Sequence, residues 1–324
     1  MKKLLSMLVM ASMMVFALGT MGASAAAKAP KNDKAVVVVS FGSTFDDTRT
    51  KDIGGIEEAV AKAFPNRDFK RAFTSYIIME RLEKNKGIKV NDLPATLKEL
   101  KKAGYKDILV QPTHLLHGEE YEHKVLTTVD KFKGDFDRIV VSDPLMVGKN
   151  DFAIAASAVA TQFPTLGKGE GVVLMGHGSP RDNNQSFGNT YKMLQETFDK
   201  MGLPVVVGTV EEVDTPNVDE VLEQIKARGY KTVHMFPLMI VAGDHANNDM
   251  YGDEEDSWKS MFEASGSFDS VDAQIAGLGR IDAVKQLYVD HTKAAIDSLG
   301  TEAATEDEAA EAETAEAETE AAEE

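Results

Sequence analysis

The sequence contains no cysteine. Disulfides, thiolate-held zinc, iron–sulfur clusters and thiol nucleophiles are thereby excluded, and any metal must rest on imidazole and oxygen donors. Basic charge is also short. Against 53 Asp and Glu stand 35 Lys and Arg, a formal charge of −18, which argues against nonspecific nucleic-acid binding, since that needs a basic surface. Long apolar runs are scarce as well: the run Leu4 to Leu18 follows Lys2 and Lys3 and precedes Ala23-Ser24-Ala25, the pattern of a cleavable export signal. It predicts a signal peptide over 1–25, a mature chain from Ala26, a periplasmic location and no membrane span after cleavage. Signatures of phosphate-loop nucleotide binding, α/β-hydrolases and zincins (G-x-x-x-x-G-K-[ST], G-x-S-x-G and H-E-x-x-H) are missing too, so no nucleotide is expected.

What is present is unevenly placed. Eleven acids lie in 301–324, a low-complexity tail of Ala, Glu and Thr without a base, so the body over 26–300 carries only −9. Within that body, β-branched runs alternate with amphipathic stretches of helical length, which predicts an α/β fold with mostly parallel sheets. Strands are expected over Ala35–Phe41, Phe69–Ser75, Asp107–Thr113, Arg138–Asp143, Gly171–His177, Pro204–Val210, Thr232–Leu238 and Ala273–Gly277. That is four per half, in an N-terminal domain over 26–148 and a C-terminal domain over 149–300.

The halves resemble each other. AVVVVSFGS from Ala35 matches GVVLMGHGS from Gly171 without a gap, and the 29 residues from Leu97 lie on those from Leu222 with seven identities, including Gly-Tyr-Lys, Pro112 with Pro237, and Gly118 with Gly243. Duplication predicts two similar domains, each a four-stranded sheet flanked by helices, facing across a cleft at the carboxyl ends of their first and third strands. In this register Phe41 corresponds to His177 and Glu120 to His245. Two imidazoles and a carboxylate suit a borderline divalent ion such as cobalt, iron, nickel or zinc. His114 reads as a core residue, His234 as packed in a strand and His291 as surface. His117 or His123 is a candidate axial ligand for a haem, which without C-x-x-C-H would be non-covalent. Ser43 and Ser179 read as turn formers. Arg49, Lys51 and Arg181, just beyond the two Gly-Ser turns, are candidate bases for an anionic substrate, and Phe41 a candidate apolar wall.

The repeat, the G-H-G-S turn, H-G-E-E-Y-E and the segment VAGDHANNDMYGDEEDSWK from Val241 to Lys259 together resemble the CbiK-type sirohydrochlorin cobaltochelatases, class II chelatases, over about Lys34 to Leu299. The resemblance implies ATP-independent insertion of cobalt(II), with iron(II) as an alternative, into a carboxylate-rich reduced tetrapyrrole. It implies His177 and His245 as metal ligands, with Glu120, or its neighbour Glu119, as the cleft carboxylate. His177 leads as proton acceptor as well as ligand, and self-association into a homo-oligomer is implied too. An export signal departs from the cytoplasmic pattern of that family and admits a periplasmic metal or haem carrier built on the same fold.

Overall fold

The computed structural model describes residues 32–179, 189–211 and 214–298. The signal at 1–25, the tail at 301–324 and Arg181 lie outside them. Strand β1 (Lys34–Ser40) pairs in parallel with β2 (Asp68–Phe73) and β3 (Asp107–Pro112), and β3 with β4 (Arg138–Val141), in the order β2-β1-β3-β4. Strands β5 (Glu170–Gly176), β6 (Val205–Thr209), β7 (Thr232–Leu238) and β8 (Ser270–Ala273) repeat this as β6-β5-β7-β8. The four-residue run Val36–Val39 has no solvent exposure, as expected of a parallel strand covered on both faces.

Alternation along the central strands divides the core. Val37 and Val39 face Leu97, Leu100 and Val125 on one outer layer, while Val173 and Met175 face Ile225, Trp258 and Phe262 on the other. Val36, Val38, Val172 and Leu174 belong to one continuous apolar cluster shared by both halves. Helix α1 (Gly54–Ala63) contributes Ile56 and Val60 to it. The helices also exchange. Helix α4 (Lys149–Ala160) follows β4 yet lies against α5 (Thr190–Lys200) of the second half; α2 (Tyr76–Lys86) and α3 (Leu93–Ala103) belong to the first. The helix over 282–298 returns to the first half, where the Tyr288 hydroxyl donates to the His114 carbonyl at 3.0 Å and Thr292 donates to the Gln111 side chain. No helix among the described residues is long and apolar enough to cross a membrane.

Seven of the expected strands lie where the apolar runs put them, within a residue or two at the ends. The eighth is displaced: β8 spans Ser270–Ala273, not Ala273–Gly277. It is a short edge strand that alternates exposed Ser270 and Asp272 with Val271 and Ala273, which pack against the second-half core. The apolar residues that follow, Ala276 and Leu278, are buried because their loop tucks against β7, with Leu278 N donating to Met239 O at 2.9 Å and Gly279 N to Ile240 O at 3.0 Å.

That loop allows no extra atom at Gly277, where a Cβ would come within 2.2 Å of Asp52 Oδ2 and 2.5 Å of Ile240 O. Gly277→Ala should therefore lower stability by about 1–3 kcal/mol through overpacking, read as a fall in the urea midpoint. An unchanged midpoint would mean that the contact yields freely.

Candidate metal and macrocycle site

The carboxyl edges of β5, β6 and β7 carry the candidate site. β5 ends at Gly176 and the chain turns through His177 and Gly178, which adopts φ +95°. A Cβ at Gly178 would press within 3.1–3.3 Å of Glu211, Asp214 and Thr209, so glycine lets the β5 and β6 ends approach. There Val210 N donates to Gly176 O at 2.9 Å and Glu211 N to His177 O at 3.1 Å, two bonds that extend the ladder past the strand ends. They bring Glu211 beside His177: Oε1 lies 3.7 Å from Nε2. His245 opens a π-helical turn, His245–Met250, beyond β7. Its ring meets that of His177 edge to face, centroids 4.8 Å apart at 88°.

His177, Glu211 and His245 thus converge, one donor atom from each lying within 4.8 Å of the others. Donors bound to one divalent ion at about 2.1 Å sit at most about 4.2 Å apart, so side-chain rotation of under an ångström or so closes the set. Each imidazole is held by its other nitrogen. His177 Nδ1 lies 3.1 Å from Gly178 O and His245 Nδ1 against the Asp249 carboxylate, which fixes both rings and leaves both Nε2 atoms to the cleft. All three side chains are 40–50% exposed, so a large partner can reach them.

The facing half supplies a different surface. The same two backbone bonds recur there, Thr74 N to Ser40 O at 2.9 Å and Ser75 N to Phe41 O at 3.2 Å, so Ser75 occupies the place of Glu211 and Phe41 that of His177. Phe41, Tyr76 and Ile77 are exposed at 48%, 58% and 62%, an apolar wall where the second half has donors. Lys124 Nζ stands 4.9 Å over the Tyr76 ring. Glu120 lies below this wall, outside the three-donor cluster, and accepts a hydrogen bond from Thr74 Oγ1. Burial holds its carboxyl above the usual range, although Thr74 and the nearby His177 and Lys124 act the other way.

Several expected residues do not join the site. Arg49 is no free cation: its side chain is 11% exposed, and its guanidinium bonds Ser43 O and Thr44 O and pairs with Asp46, so it buttresses the turn. Lys51 pairs with Asp47, and Glu119 with His123 at 3.6 Å. His117 packs edge-on to Tyr121 and bonds Glu122 at 2.8 Å, so neither candidate haem ligand reaches the three-donor cluster. His291, expected on the surface, is mostly buried 3.3 Å from Asp151, because its helix folds back between the halves. His234 bridges Glu170 and Asp272 across three strands. Ser43 and Ser179 are buried in their turns.

Two parallel sheets whose carboxyl edges face one another, one edge apolar and the other bearing two histidines and a glutamate, define a protein that handles a metal ion beside a large apolar ligand. The family described as cobalt chelatase (CbiK) matches residues 34–297, and the chain belongs to it. It is 36% identical to the sirohydrochlorin cobaltochelatase of Salmonella typhimurium over 271 residues, covering 84% of this chain and 99% of that one. It is 29% identical to the sirohydrochlorin cobaltochelatase CbiKC of Nitratidesulfovibrio vulgaris over 272 residues, 83% of this chain and 93% of that one. The fold is shared with SirB from Bacillus subtilis with Fe3+, at a TM-score of 0.57 and 16% identity over 82% of this chain and 97% of that one.

His114 yields a pH prediction. Its ring nitrogens have no hydrogen-bond partner among the described residues and burial lowers its pKa to about 4, whereas an unfolded histidine titrates near 6.5. As pH falls from about 6.5 to 4 the unfolded chain takes up a proton that the folded chain refuses, so up to about 3 kcal/mol of stability is lost. His114→Met, the residue type at the matching position 239, should flatten that part of the stability profile in chemical unfolding across pH. Parallel profiles for parent and variant would refute it.

Proposed function

We propose that this protein inserts cobalt(II) into sirohydrochlorin without ATP, and that iron(II) is an alternative metal substrate. The observation that carries the reading is the convergence of His177, Glu211 and His245 opposite an exposed apolar wall. The three donors take the ion from water, and their partial exposure lets the ring nitrogens replace them in turn. A macrocycle hides its four nitrogens in its own plane and carries two N–H protons. Holding it against Phe41, Tyr76 and Ile77 presents one face to the ion and supplies the orientation that substitutes for a random encounter. Glu120, whose burial favours protonation, accepts one of the two protons on the first-half side, and His177, released as the ion passes to the ring nitrogens, accepts the other. Lys124 on the rim meets a substrate carboxylate, the task the sequence suggested for Arg49. The acidity of the body draws the cation rather than the anionic ring.

The N-terminal Lys-Lys, apolar run and A-S-A supports export to the periplasm, and with it a second reading, a metal or haem carrier. Turnover separates the two. With purified mature chain, sirohydrochlorin and cobalt(II), followed by absorbance, a chelatase gives many turnovers and a carrier at most one equivalent of bound metal. His177→Ala and His245→Ala should each cut kcat/KM by about a hundredfold or more. Glu211→Gln should mainly raise the KM for cobalt, and Glu120→Gln mainly lower kcat. Full activity in both histidine variants would sink the site assignment.

A further inference from the structure

We propose that Thr48 and Asp52, carried by the first half, are positioning residues that set the location of His245 in the second. The proposal rests on the reading of His245 as a cobalt ligand and extends it to residues that touch neither metal nor macrocycle. Both polar groups of the Ala242 peptide are held across the boundary between the halves. Asp52 Oδ2 accepts from Ala242 N at 3.2 Å, and Thr48 Oγ1 donates to Ala242 O at 3.0 Å. Asp52 has no exposure and Thr48 is 6% exposed, so water does not compete with either bond.

The grip on Ala242 is passed on along a short stiff path. Gly243 N donates to Val241 O at 3.0 Å, and the Gly243 carbonyl accepts both the backbone N–H of Asn247 at 3.2 Å and its side-chain amide at 2.8 Å. The turn that begins at His245 is therefore tied back to Gly243, one residue from the clamped peptide. Asp52 is itself fixed, its Oδ1 accepting from Arg280 Nε at 2.6 Å. His177 and Glu211 depend on none of this, being joined to each other by the Glu211 N to His177 O bond. Loss of the clamp thus moves one donor of three relative to the others. Such a displacement weakens the binding of an ion more than that of a broad macrocycle.

The test uses the full mature chain. Cobalt(II) is titrated in and followed by the visible absorption of the bound ion, and steady-state insertion is measured with each substrate varied. Thr48→Val keeps the buried volume and removes the donor to Ala242; Asp52→Asn keeps the shape but can no longer accept from both Ala242 and Arg280. Each variant should bind cobalt about tenfold more weakly and show a matching rise in the KM for cobalt, with the KM for sirohydrochlorin within about twofold of the parent. Thr48→Ser restores the hydroxyl and should restore cobalt binding. Parental cobalt affinity in folded Thr48→Val overturns the proposal. So does an equal rise in both KM values, or a loss that tracks thermal destabilisation and is not rescued by Thr48→Ser. If His245→Ala alone leaves cobalt binding intact, the site reading fails, and this proposal with it.

Discussion

A carboxylate removed wholly from water is tolerable only where donors replace the water, and Asp52 finds its donors in the opposite half of the molecule. Arg280 Nε and the Ala242 N–H both come from the second half, so the cost of burying this charge is offset only when the halves are docked. Desolvation still holds the Asp52 carboxyl above the usual range, as befits a carboxylate without solvent exposure. Around it Ile53, Phe73, Ile78 and Leu82 form an apolar cluster that reaches Val241. On the other side of the cleft Gly118 lies so near Ser179 that a Cβ would stand 2.9 Å from its Oγ. Contacts on both flanks, with one core running through both halves, make the cleft a fixed width rather than a hinge.

Fixed width gives the duplication its chemical use. The two halves carry the same sheet order and the same pair of backbone bonds past their first and second strands. The third strands of both also run into π-helical turns, Tyr121–Leu126 and His245–Met250, the wider winding that often marks functional positions. A shared backbone therefore presents matching positions to one cleft, and only the side chains distinguish the walls.

Most of this frame was legible in the sequence because buried parallel strands are continuous apolar runs. Val36–Val39 and Val172–Met175 cannot be mistaken for amphipathic helices, and the two gapless matches align them. β8 was misplaced because it is a four-residue edge strand with only Val271 and Ala273 turned to the core, and the apolar residues that follow it serve a loop instead. His177 and His245 were picked out through the repeat, which covered the first and third strands of each half; Glu120, picked out the same way as a third ligand, stands outside the three-donor cluster. Glu211 was missed because the second strands share the backbone path without sharing residues: FTSY after β2 bears no likeness to TVEE after β6. The missing signal was the constant offset of 136 that pairs Phe41 with His177, which also pairs Ser75 with Glu211. Arg49 looked like a base at the cleft because sequence shows its position beyond the turn but not that Ser43 O, Thr44 O and Asp46 consume its donors.

The asymmetry between the walls follows from what a metal and a macrocycle each require. Had both halves kept histidine and glutamate at the matching positions, donors from two sides would enclose an ion between them and leave no face for a ring. Phe41 and Ser75 in place of a second His and Glu strip one wall of ligands. The exposed Tyr76 and Ile77 then make that wall a surface whose contact with water is unfavourable until something apolar covers it. Glu120 is the acid retained on that side, and it is half-buried, tied to Thr74 and biased toward its protonated form, so it competes poorly for a cation. Divergence after duplication has thus separated binding of the ion from binding of the ring. A clamp that holds the two walls at constant distance is what lets the two tasks meet.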